Sequence, residues 1–214
     1  MMPVILGTTA AGMMLIKRLD QDIELPDGVK ACLLAAGVAG GGILKWIFGP
    51  GEFFSRLLLA LLMGCLLLAC ATDMVLCQVY NFVWWVGAAV SAMLLWRRLW
   101  LSDSVGNAMG ILMNLTVFWI IQLKLFGRLY GKADCYAFCV CAAAGAGLGM
   151  GLELYVLHMA LAFVLLVPVQ LLGRNITLGG RLKKPVPFLP YITGAFYILL
   201  LFVKMYGETV VPLS

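Results

Sequence analysis

Long apolar runs closed by charged residues recur along this chain, and they limit its fold more than any other feature. They cover about 31–44, 57–72, 79–96, 106–123, 136–152, 154–172 and 189–203, and each is long enough to read as a membrane span. An eighth run, about 1–16, is short for a hydrocarbon core of ~30 Å and would reach across it with Lys17 and Arg18 snorkelling to the surface. No basic leading region precedes it, so it reads as a span rather than a cleaved signal. In lipid every backbone N–H and C=O needs a partner within the protein, and no ten-residue alternation of a barrel is present, so the runs are expected to be helices. The expected fold is all-α, a polytopic helical membrane bundle of seven or eight transmembrane helices.

Composition agrees: 64% of the 214 residues are hydrophobic and only 12% are charged, with a mean hydropathy of +1.03. A soluble core cannot hide that much apolar surface, so a soluble enzyme, a disordered chain and a secreted disulfide scaffold are excluded. The seven cysteines lie mainly in apolar runs, are odd in number and contain no C-x-x-C pair, so reduced thiols and no zinc site are expected. The net charge of +5 is scattered between the runs rather than gathered in a stripe, which speaks against nucleic acid and for lipid headgroups as its partner. The polar connections, 17–30 and 173–188 being the longest, are too short for a soluble domain. Residues 1–30 therefore form an N-terminal short apolar segment and polar loop, and 31–214 a single membrane-embedded domain.

Alternating the runs across a bilayer assigns the basic residues to two sides. Lys17, Arg18, Lys30, Lys124, Arg128, Lys132, Arg174, Arg181, Lys183 and Lys184 share one side, against Lys45, Arg56, Arg97, Arg98 and Lys204 on the other. The richer side is expected to be cytoplasmic. This parity requires the chain to turn near Leu152 and Glu153 rather than run as one long helix.

Asp20, Asp22, Asp27 and Asp103 lie in polar connections where solvated charge is ordinary. Asp73 and Asp134 differ: the first ends the run LLLALLMGCLLLACAT and the second opens CYAFCVCAAAGAGLGMG. Both fall on the cytoplasmic side. An ionisable group at the edge of a span is more often structural than functional, so the surrounding motifs carry the case. From Asp73 the chain reads D-M-V-L-C-Q-V-Y-N, ending at Asn81; from Gly131 it reads G-K-A-D; and Pro187-Phe188-Leu189 enters the last run.

In order and spacing these motifs resemble the type IV prepilin peptidase family of membrane aspartyl proteases, over about 57–203. In that family the first catalytic aspartate ends a helix, an I-P-N follows with its Asn eight residues on, and the second aspartate closes a G-x-G-D. Here Val79 and Tyr80 stand in place of Ile-Pro, and Ala133 in place of the second glycine. The four-cysteine zinc insertion of the larger members is absent, and their N-methyltransferase activity is not carried over. The resemblance implies catalytic Asp73 and Asp134, with Asn81, Gly131 and Pro187 binding substrate or supporting the site. It implies no cofactor and no metal. Its substrate would be a pilin-like precursor of type IV pilus or protein secretion systems, whose leader (signal) peptide is cut, usually just after a glycine, at the cytoplasmic face of the inner membrane.

The chemistry asks for two carboxyls, one ionised to activate water and one protonated to polarise the carbonyl. Asp73 near a helix C-terminus and Asp134 near an N-terminus would make Asp134 the base and Asp73 the acid. Two alternatives stay open: a noncatalytic membrane component of a pilus or secretion assembly, and a related intramembrane aspartyl protease with another substrate. A transporter ranks third, because its polar residues should converge at mid-membrane. The oligomeric state is left open.

Other residues read first as structural. His158 is placed about 14 residues, or roughly 20 Å, from the cytoplasmic end of its run, too far to serve the aspartates. Gly37 with Gly41, Gly145 with Gly149 and Gly147 with Gly151 read as helix-packing faces. Asn114 and Gln122 read as interhelical hydrogen-bonding groups, with substrate contact as the sharper alternative.

Overall fold

The computed structural model describes residues 1–19, 25–48, 52–102, 104–128, 130–172 and 186–207. Asp20, Asp22, Asp103, Arg174, Arg181, Lys183 and Lys184 lie outside these, as does the side chain of Arg128. The described residues form eight α-helices and no strand: α1 (Met2–Leu19), α2 (Asp27–Ile47), α3 (Phe53–Leu76), α4 (Asn81–Trp100), α5 (Val105–Lys124), α6 (Lys132–Gly147), α7 (Leu152–Leu172) and α8 (Leu189–Gly207). Each of the eight apolar runs contributes one helix.

Four of them, α2, α3, α5 and α7, are long and apolar enough to cross a membrane, and Leu189–Lys204 of α8 is a shorter apolar helix. The expectation of seven or eight spans is thus met by this measure in four helices. At 16 residues α6 extends only about 24 Å, and α4 carries several tryptophans and ends in Arg97 and Arg98.

Burial sorts the helices into a centre and a periphery. In α3 72% of the most apolar stretch is buried inside the protein, against 17% in α5 and α7. A helix that is apolar all round and covered on every side belongs to a core, whereas one that leaves Met109, Met113, Val164 and Val167 exposed needs an apolar solvent. The second central helix is α6, buried almost continuously from Ala137 to Ala146. Both α4 and α8 pack against α3 and α6 together and so bridge them, while α1 and α2 cover α3 and α5 covers α6.

Small residues set how close these helices come. At Gly147 a methyl group would stand 2.7 Å from the backbone carbon of Leu94, so α6 rests directly on the α4 main chain. Gly64 does the same between α3 and α1, where a methyl would lie 2.9 Å from the Ile5 carbonyl oxygen. Beside it the Thr9 hydroxyl reaches the carbonyls of Ile5 at 2.9 Å and Gly64 at 3.1 Å, tying the two helices where no water competes. Gly37 and Gly41 face Leu6 and Met2 of α1, as expected for a packing face. Gly149 and Gly151 serve differently. They lie in the turn that separates α6 from α7, with Gly149 at φ +86°, a conformation that suits a residue without a side chain. The turn expected near Leu152 therefore exists, a few residues earlier than the sequence pattern placed it.

Candidate active site

Asp73 sits in the last turn of α3, whose end is fixed by Cys77 in the left-handed conformation, donating its N–H to the Asp73 carbonyl at 2.9 Å. The Asp73 side chain is only 9% exposed. A buried carboxylate needs a donor, and it comes from the start of α8: the Leu189 N–H reaches Oδ2 at 3.1 Å, with the Phe188 amide close by. The local sequence explains why these amides are free. The first N–H groups of a helix have no carbonyl above them, and Pro190 supplies none at all, whereas Tyr191 and Ile192 already bond the Phe188 carbonyl. Pro187 is partly buried just ahead of this turn and offers no N–H, so it shapes the approach while Leu189 makes the bond.

Asp134 is the third residue of α6, half-buried, and its Oδ2 accepts the Gly131 N–H at 3.1 Å. Gly131 has φ −61° and ψ 153°, which any residue can adopt, so its backbone does not demand glycine. The demand comes from space: a methyl there would stand 3.2 Å from that same Oδ2. Ala133 is half-buried and packs against the core.

These two carboxyls, on different helices and far apart in sequence, lie at one end of the bundle, close enough for the charge of Asp73 to act on Asp134. The cysteines behind them repeat the alignment, Cys70 of α3 lying near Cys141 of α6. Because α3 ends and α6 begins at this end, the two central helices run antiparallel.

Tyr130 was not singled out by the sequence pattern, yet it joins the two halves of the site. Its ring lies 5.9 Å from Phe188 and 5.8 Å from Phe138, edge-on or tilted to each, and 6.0 Å from Phe163. Its chain neighbour is Gly131 and that of Phe188 is Leu189, so this aromatic contact sets the Asp134 turn against the Asp73 donor. The Tyr130 hydroxyl donates to Gln122 Oε1, and Gln122, fully buried, donates onward to Met159 Sδ at 3.1 Å. Burial pushes the phenol above its ordinary range, which keeps it a neutral donor. The only advance signal was an aromatic residue directly before G-K-A-D.

The other named residues stay apart from the carboxyls. Asn81 is exposed at the first position of α4 and bonds neither aspartate. His158 is buried and hydrogen-bonds the Ile192 carbonyl through Nε2 at 2.9 Å, between the rings of Phe138 and Phe196. It is 14 residues from the end of its helix, as expected, but the conclusion that this holds it far from the site needs correcting. Met159 and Phe163 of α7 meet Gln122, Tyr130 and Phe188, so α7 is level with the site near its middle and continues past it to Leu172. His158 thus stands beside Phe138, one turn along α6 from Asp134, with its ring nitrogen already engaged. Lys132 is exposed and makes no ion pair with Asp134 among the described residues. All seven cysteines are free thiols, five of them buried.

Both carboxylates accept from a helix N-terminus, Asp73 from α8 and Asp134 from its own helix. Helix-end charge therefore does not give the two carboxyls separate roles. Fold and site together define an all-helical, lipid-suited bundle with a paired-carboxyl end. Comparison with family models, with curated proteins and with solved structures gives no match, so the likeness to prepilin peptidases rests on the motifs alone.

Proposed function

We propose that this chain is a membrane-embedded aspartyl endopeptidase resembling prepilin peptidases, with Asp73 and Asp134 as its catalytic pair. One observation carries the reading: the two motif aspartates, from separate helices, lie within electrostatic reach of each other at one end of the bundle. Two carboxyls so placed can share a single proton. The ionised one takes a proton from water as its oxygen adds to the scissile carbonyl carbon, and the protonated one gives its proton to the carbonyl oxygen. The resulting gem-diol collapses when the C–N bond breaks: the departing amine takes a proton from the carboxyl that accepted one from water, while the other carboxylate takes back a hydroxyl proton as C=O re-forms, restoring the starting pair.

In this reading seven or eight of the helices span the inner membrane with the aspartates facing the cytoplasm, in keeping with the ten-to-five distribution of basic residues. The substrate is a pilin-like precursor with a short leader ahead of an apolar helix. The apolar part docks among the helices and the scissile peptide unwinds beside the pair.

A second reading has its own observation. The Leu189 bond to Asp73 also serves as a cap for α8, a purpose that a noncatalytic component of a pilus or secretion assembly would retain. Coexpression of a pilin-like precursor with the wild-type chain, Asp73→Asn or Asp134→Asn at matched membrane levels separates the two, read as the new N-terminus by mass spectrometry. Cleavage by the wild type and by neither variant is expected. Cleavage by both variants would exclude the aspartyl mechanism, and a panel of precursors left uncut by the wild type would favour the scaffold.

A further inference from the structure

At the opposite end of α4, about 30 Å from the α3–α4 turn by its 20-residue length, the bundle holds a second polar feature. A cavity of about 350 Å³ lies between the end of α4, the start of α5 and the α6–α7 turn. Its floor is apolar, with Met150 and Tyr155 buried and Ile111 beside them. Its polar groups are mostly donors: the Arg98 guanidinium and the carboxamides of Asn107 and Asn114, two turns apart on α5. Arg98 lies over the α6–α7 turn, its Nη2 3.9 Å from where a Gly149 methyl would be. Among the described residues it makes no ion pair, and neither carboxamide makes a hydrogen bond. The nearby carboxylate of Glu153 is folded back over Gly151 at the start of α7 instead of reaching Arg98.

On the outer side of this end of α4, away from the cavity, Trp96 and Trp100 are 67% and 77% exposed and stacked at 6.2 Å. Exposed tryptophans beside arginines mark the headgroup level of a bilayer. Unpartnered cationic and amide donors above an apolar floor fit an anion carried on an apolar stem, and the volume falls in the ~300–1,000 Å³ range of small-ligand sites.

We propose that this cavity binds the phosphate of a net-anionic lipid headgroup, held by Arg98 with Asn107 and Asn114. It requires nothing of the aspartates, so its test is independent of the protease reading. The full chain, purified in mild detergent, is exchanged into micelles containing phosphatidylglycerol or phosphatidylcholine, and retained lipid is counted by native mass spectrometry. Wild type is expected to retain phosphatidylglycerol about tenfold better, the scale of a charge-assisted hydrogen bond. Arg98→Gln should remove that preference, Arg98→Lys should keep part of it, and Glu153→Gln should increase it. Should Arg98→Gln fold poorly, Asn107→Ala at the exposed mouth should still lower retention several-fold. Added inorganic phosphate that displaces the lipid would identify free phosphate as a competing source of the same chemistry. Lipid that resists it would identify the headgroup. Equal retention of the two lipids by wild type, or a preference unchanged in both Arg98→Gln and Asn107→Ala, would overturn the assignment.

Discussion

Replacing Asp73 by Asn and by Ala separates the charge of this residue from its role as an acceptor. Both substitutions remove the buried charge, so any gain from no longer desolvating a carboxylate is common to the two. They differ in what they leave for the Leu189 N–H, now 3.1 Å from Oδ2. Asn keeps an oxygen there; Ala leaves a donor in a pocket where Leu189 is fully buried and Phe188 nearly so. An unsatisfied buried donor costs about 1–3 kcal/mol, so Asp73→Ala should be less stable than Asp73→Asn by about 2 kcal/mol. The same pair at Asp134 is the control. There the donor, Gly131 N–H, is exposed, water can replace the lost acceptor, and the gap should be about 0.5 kcal/mol, the scale of a surface change. Reversible denaturation in mixed micelles, with the four variants measured side by side, reads both gaps. A gap at Asp73 no larger than that at Asp134 would refute the placement of Asp73 under the α8 amides.

Three further outcomes follow from the geometry. Gly131→Ala places a methyl 3.2 Å from Asp134 Oδ2; the carboxyl must yield by a few tenths of an ångström, and leader cleavage at matched expression should fall several-fold to about tenfold. Gly147→Ala drives a methyl to 2.7 Å from the Leu94 backbone, which only a helix shift relieves, so denaturation should show a loss of about 1–3 kcal/mol. Tyr130→Phe keeps the aromatic contacts but leaves the buried Gln122 oxygen without its donor, and should cost about 1–2 kcal/mol in the same assay.

The bundle was legible because apolar runs in lipid have one local solution, the helix, and charges or turn residues end each run. Thus the sequence pattern alone puts Asp73 at the close of one helix and Asp134 at the opening of another. What stayed hidden depends on how helices stagger against one another. Counting along α7 alone set His158 far from the site, whereas Met159 against Gln122 shows α7 displaced along its axis relative to its neighbours. The donor to Asp73 was hidden for a different reason: Pro187-Phe188-Leu189 drew notice as a motif, but the group that bonds is a backbone N–H, which no residue letter encodes. Gly131 was flagged by resemblance, and its physical reason is the space it leaves beside Asp134. Length and composition pick out four spans, and they pass over a helix such as α6, which, enclosed by α4, α5 and α8, need not be as long as one facing lipid.

The central claim is that Asp73 and Asp134 form one electrostatically coupled pair. Isotope-edited infrared titration of labelled aspartate, in wild type and in each single Asn variant, reads it directly. Coupled carboxyls lose their protons in steps that belong to the pair. Removing either group should therefore move the titration of the one that remains away from both wild-type steps. A remaining carboxyl that titrates in the variant as it does in the wild type would contradict the pair.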